Sequence, residues 1–144
     1  MEMAGVLQDL LKEMLKGDPG IKAVYLFGSH TDGTATRRSD IDLAFLFEET
    51  GYRADPLDPF YRAQVIAATL GESLLRKTDA VLLNSSSLEI AYEIVTTGVC
   101  VYEADTDDRA VYEARVMGLW FDFKPFVEEL RALFLASLQE QEWV

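Results

Sequence analysis

Basic residues are scarce in this chain: 13 Lys and Arg stand against 25 Asp and Glu, a formal net charge of −12. Affinity for a nucleic-acid backbone comes mainly from cations that neutralise phosphates, so direct, unaided binding of DNA or RNA is not expected. The same negative field favours divalent cations and a basic protein partner. Cysteine occurs once, as Cys100 within the apolar run Val99-Cys100-Val101. An intrachain disulfide is excluded, and the thiol reads as buried and structural. No apolar stretch approaches the roughly twenty residues a bilayer span needs, and no basic segment followed by an apolar block opens the chain. No membrane association and a cytoplasmic location are the expectation. Repeats and low-complexity tracts are also missing, so residues 1–144 are read as one domain.

What is present is a chain with 49% hydrophobic residues, enough for a packed core. Met3, Val6, Leu7, Leu10, Leu11, Met14 and Leu15 recur at the spacing of an amphipathic helix over residues 2–16, which Gly17 and the turn Asp18-Pro19-Gly20 end. Ala23 to Phe27 is a short apolar run that stops at Gly28-Ser29, and Ile41 to Phe47 is a second; both read as strands. The polar segment from Glu48 to Asp58 reads as a mobile loop, open to two uses: closing over a ligand, or merely connecting. Helical periodicity follows from Phe60 to Arg76, then a strand from Thr78 to Leu83. Ser85, Ser86 and Ser87 offer caps to a helix running to Thr97, ended by Gly98. Val99 to Tyr102 reads as a strand, and a helical region over 106–141 follows, which Pro125 is expected to break or kink. The core thus spans 21–103, and the alternation points to a sheet covered by helices, with an α+β fold and a mixed sheet as the expectation.

The stretch that carries chemistry is Gly28-Ser29, ten residues, then Asp40-Ile41-Asp42. Carboxylates separated by one residue on a strand project from the same face and can share metal ions. Magnesium suits them, because it prefers hard oxygen ligands and is held by one or two carboxylates plus substrate phosphates. Glycine lets backbone approach those phosphates closely, and the serine hydroxyl can donate to them. Taken singly, Gly-Ser is a common turn and Asp-x-Asp a common solvated pair. Here both sit at the ends of neighbouring strands, with the acids embedded in apolar sequence where unpaired charge is expensive.

This pattern resembles the minimal nucleotidyltransferases of the polymerase-beta-like superfamily, whose signature is Gly-Ser, a ten-residue spacer and Asp-x-Asp. The resemblance implies a palm-like sheet and a third carboxylate on a later strand, in the place of Asp79. It implies that Asp40, Asp42 and Asp79 bind Mg²⁺ and carry the catalysis, and that Gly28 and Ser29 cradle the phosphates of ATP. The stretch Glu89 to Tyr102, followed by a helix with Tyr112, Trp120, Phe121 and Asp122, is further similar to MntA antitoxins, encoded with HepT toxins of the HEPN ribonuclease class. That likeness implies transfer of AMP from ATP to a toxin tyrosine, silencing the toxin. One departure is Asp32: many relatives have Gly-Ser-x-Ala-Arg-Gly where this chain reads Gly28-Ser29-His30-Thr31-Asp32-Gly33. Without that arginine, Arg37, Arg38 or a partner's residue must supply the positive charge. His30, the only histidine, reads either as a nucleotide contact or as a surface-turn residue.

Two other functions stay open on sequence alone. One is an antitoxin that acts by binding only, motivated by Asp32 and by the aromatic set Trp120, Phe121, Phe123, Phe126, Phe134 and Trp143. The other is a nucleotidyltransferase for a small-molecule acceptor, for which little chain remains after Glu103 to build a substrate domain.

Overall fold

The computed structural model of the protein describes residues 3–33 and 39–142. In chain order its elements are α1 (Met3–Met14), β1 (Ile21–Phe27), α2 (Ser29–Asp32), β2 (Ile41–Phe47), α3 (Glu49–Ala54), α4 (Leu57–Leu74), β3 (Thr78–Leu82), a 3₁₀ turn (Leu83–Ser85), α5 (Leu88–Thr97), β4 (Val99–Glu103) and α6 (Thr106–Glu142). The strands form one four-stranded mixed sheet in the order β3-β2-β1-β4. β1 runs antiparallel to both its neighbours, and β2 pairs with β3 in parallel. The protein is therefore α+β.

Strand alternation divides the sheet's side chains between two cores. Val24, Leu26, Leu43 and Phe45 point to one face, where Leu7 and Leu11 of α1 and Ala63, Ala67 and Leu70 of α4 cover them. Burying each of those leucines contributes about 1.5–3 kcal/mol. Ala23, Tyr25, Ala44 and Leu46 point to the other face, under Ala91 and Ile94 of α5 and Val116 of α6. Asp42 lies two residues before Ala44, so period two puts it on the α5/α6 face.

α6 is tied to this second face by a polar contact as well as an apolar one. The Tyr25 hydroxyl, on a residue 1% exposed, donates to Glu113 at 2.7 Å, and Arg109 donates to the same carboxylate at 2.8 Å. Farther along, the ring of Trp120 stacks on Tyr92 of α5 with centroids 5.6 Å apart.

Two expectations are corrected. The segment after β2 is not a loop but the helix α3, because the Glu48 carboxylate accepts from Thr50 N and Gly51 N at its start and Arg53 reaches back to Glu49. Pro125 does not break the last helix, which continues unbroken from Thr106 to Glu142. The proline forgoes its bond to the Phe121 carbonyl and crowds it, and that stretch is exposed, so the carbonyl can tilt outward and bond to water. Gly98 ends α5 as expected; its φ is −79°, and a Cβ there would sit 2.5 Å from the Ile94 carbonyl and 2.9 Å from that of Leu26. Glycine is required because helix end and strand touch.

Candidate active site

The end of the sheet where β1 stops and β2 and β3 begin gathers the acids. Phe27 pairs with Asp42 across β1 and β2, and Asp42 pairs with Asp79 across β2 and β3, so adjacent strands carry the two carboxylates in register. Asp40 precedes β2 by one residue. The Ile41 N–H donates to the Lys77 carbonyl at 2.9 Å, which fixes Asp40 and Asp42 relative to the start of β3.

Gly28 closes the other side. Its φ is +80°, and a Cβ added there would lie 2.4 Å from Asp42 Oδ2. Only glycine fits, both for the left-handed backbone and for the room the carboxylate takes. Ser29 begins α2 immediately afterwards, and Thr31 Oγ1 donates back to the Gly28 carbonyl at 2.8 Å. His30 lies nearby: its Nε2 is 3.4 Å from the Ser39 carbonyl.

Burial pushes the Asp42 carboxyl above the usual range, and the negative charges of Asp79 and then Asp40 push it further. Like charges held together by backbone register need a counter-charge, which is what a divalent cation provides. Among the described residues no three carboxylate, imidazole or thiolate groups enclose a single cation position. The acids form an open edge instead, the form suited to magnesium, which keeps several waters and completes its shell with phosphate oxygens. Beside the edge runs a groove of about 370 Å³ lined by Phe27, Gly28, Val81, Ile90, Glu93, Ile94 and Thr97.

The structure brings together Gly28, Ser29, Asp40, Asp42 and Asp79. Arg37 and Arg38, named as phosphate ligands, lie outside the described residues, as does Trp143, and nothing structural is assigned to them. Sequence reading missed Lys77. Its Nζ lies 3.9 Å from Asp40 Oδ2 on a side chain 73% exposed, a cation at the acid edge of an acidic protein. The turn that delivers it is strained, because Leu75 holds φ 53°, ψ 44° at the end of α4. Bulky residues avoid that left-handed region, and such strain persists only where surroundings enforce it. Arg76 N–H donating to Gly71 O at 3.0 Å, and Gly71 packed so that a Cβ would lie 2.7 Å from the Arg76 carbonyl, supply that enforcement. A Lys two residues before a strand-edge Asp was the one available signal in sequence.

An acid pair and a third carboxylate in register stand against a glycine turn on a mixed sheet, an arrangement suited to metal-assisted phosphoryl transfer. Residues 9–107 match the polymerase beta nucleotidyltransferase family, and the chain belongs to it. Within that class, it is 32% identical over 114 residues to the protein adenylyltransferase MntA of Aphanizomenon flos-aquae, a match covering 77% of this chain and 76% of that protein. Identity to the MntA adenylyltransferase of Shewanella oneidensis is 34% over 99 residues, covering 69% of this chain and 66% of that protein. Solved structures share the fold at lower identity. A toxin-antitoxin complex with AMP-PNP superposes with a TM-score of 0.61 at 22% identity, over 86% of this chain and 98% of that one. The MNT antitoxin bound to a tri-AMPylated Shewanella oneidensis HEPN toxin does so at 0.57 and 19%, over 90% and 99%.

Proposed function

We propose that this protein is an antitoxin adenylyltransferase that moves AMP from ATP to a tyrosine hydroxyl of a cognate HEPN-type (HepT) ribonuclease toxin and thereby neutralises it. The observation that carries the reading is the Asp42 carboxylate, wedged against Gly28 and in register with Asp79. The 30%-level identity to two MntA adenylyltransferases supports the acceptor class.

Asp40, Asp42 and Asp79 would hold Mg²⁺, and Gly28 and Ser29 would receive the β and γ phosphates of ATP. The metal supplies charge neutralisation at the phosphates and eases ionisation of the acceptor. A free tyrosine has a pKa of about 10, so assistance is needed near neutral pH. Asp79 takes the phenolic proton, the tyrosine oxygen bonds to the α phosphorus, and the bond to the bridging oxygen breaks to release pyrophosphate. Lys77, already beside Asp40, contributes positive charge as negative charge accumulates on the leaving group. Among the described residues no helix is long and apolar enough to cross a membrane, and we place the reaction in the cytoplasm, where its partner would fold.

Intact mass of the purified toxin, after incubation with this chain, Mg²⁺ and ATP, tests the proposal. A gain of one or more AMP units that disappears with EDTA, and with Asp40→Asn/Asp42→Asn, is the expected result. Tight complex formation with no gain in mass would instead assign neutralisation to binding alone, and a small-molecule acceptor would show as pyrophosphate release that ignores the toxin.

A further inference from the structure

The distal half of α6 is apolar and uncovered. Phe123, Phe126, Leu130, Leu133 and Phe134 are each more than half exposed. Leu119, Phe123, Phe126, Leu130 and Leu133 alternate spacings of four and three, so they form one stripe along the helix. Val127 and Phe134 widen it on one side, and Asp122 and Glu129 border it on the other. A stripe this wide is the pattern of a helix packed within a bundle, broader than the two-position seam of a simple coiled coil. Contiguous apolar surface of this kind marks an interaction site.

We propose that this stripe, together with the start of α5, docks a helical partner protein whose apolar groove is rimmed by basic residues. This deepens the preceding reading and rests on it, the partner being the acceptor protein. Charge decides the occupant. In a parallel pairing of two copies, Asp122 and Glu129 would face Val127 and Phe134; in an antiparallel pairing they would face one another. Neither arrangement gives the acids a cation, and each copy carries a formal charge of −12. Arg131, on the far side of the stripe, is paired with Glu89 of its own α5.

Position supports the choice. A groove of about 450 Å³ between the start of α5 and α6 is lined in part by Leu88, Trp120, Phe123 and Phe126, room for an apolar anchor. The groove beside the acid edge is lined by Ile90, Glu93 and Thr97 of the same α5. The two therefore flank one helix, whose diameter with side chains is about 10 Å. A partner seated on the α5-proximal end of the stripe therefore lies across one helix from the groove beside the acids.

Calorimetric titration of purified cognate HEPN toxin into the full chain tests the inference, with Phe126→Ala/Leu130→Ala and Asp122→Lys/Glu129→Lys as variants. All four positions are exposed, and unchanged melting curves verify folding. Affinity falls at least ~30-fold for the apolar pair, as at interface anchors. The charge reversal lowers affinity about tenfold and flattens its salt dependence. The proposal is overturned by unchanged affinity in both variants, by no complex with the unaltered chain, or by a free chain whose dimer dissociates on Leu130→Asp. A complex that forms through the stripe yet gains no AMP would sink the adenylyltransferase reading and leave the docking surface standing.

Discussion

Two regions of this molecule break the ordinary rules of a soluble fold, and they are supported in different ways. At the sheet edge, Asp42 and Asp79 carry like charges side by side, and the ladder hydrogen bonds of β2 and β3 hold them there. On the distal half of α6, apolar rings face water, held by the helix's own bonds and by the Arg131–Glu89 pair to α5. Charges forced together store unfavourable energy in the folded state, whereas exposed rings store almost none, because they are equally exposed when the chain unfolds. The proposed function at the edge is therefore opposed to stability, and the proposed docking on the helix is nearly independent of it. The proximal half of α6 supplies the control, since Val116 and Trp120 are buried on the same helix.

The largest effect separates the two halves of α6. Trp120→Ala removes a buried ring stacked on Tyr92 and should cost about 3 kcal/mol, read as a lowered denaturant midpoint. Gly28→Ala sharpens the account of the edge. Its new methyl would meet Asp42 Oδ2 in a backbone conformation unfavourable to alanine, and AMP transfer should fall roughly 10²-fold, about 2.7 kcal/mol of barrier. Activity within threefold of the unaltered chain would show that Asp42 does not need that position.

Asp42→Asn tests the stored energy. The folded state holds the Asp42 proton more tightly than the unfolded chain does, so the ionised carboxylate costs stability above its ordinary pKa of 3.8. That cost is fully present near neutral pH and disappears as pH falls through the raised folded value and past 3.8. The Asn variant should accordingly be inactive and melt higher than the unaltered chain at pH 7, with the gain vanishing in acid; a lower melting point at pH 7 would contradict the account. The smallest effect is Leu133→Ala on the exposed stripe, expected within about 0.5 kcal/mol of unaltered stability. A loss above 2 kcal/mol would mean that the chain covers the stripe itself.

Much of the edge could be read from sequence because it is written locally. The ten-residue spacer joins two strand ends that pair as Phe27 with Asp42, and period two does the rest. Asp79 was legible only through the resemblance, since its register with Asp42 is a property of the parallel pairing and not of its neighbours in sequence. Lys77 was not legible, because a left-handed turn at Leu75, enforced by Gly71, aims it at Asp40. Helix α3 was hidden by Gly51 and Pro56, whose local preferences were outweighed by the Glu48 cap. The helix through Pro125 was missed for a related reason: on an exposed helix face the proline's lost bond can be made to water. The aromatic residues of α6 could be named as interface or core, but which half belonged to which depended on where the sheet ends.

The length of α6 has a further consequence for how the protein meets its partner. Thirty-seven residues of helix extend about 55 Å, whereas a compact chain of 144 residues has a radius of gyration of only about 15 Å. The molecule thus offers diffusing proteins a target well beyond its own body. First touch can occur on the projecting stripe, and from there the remaining search runs along one rigid axis instead of over all orientations, the restriction that slows ordinary protein association.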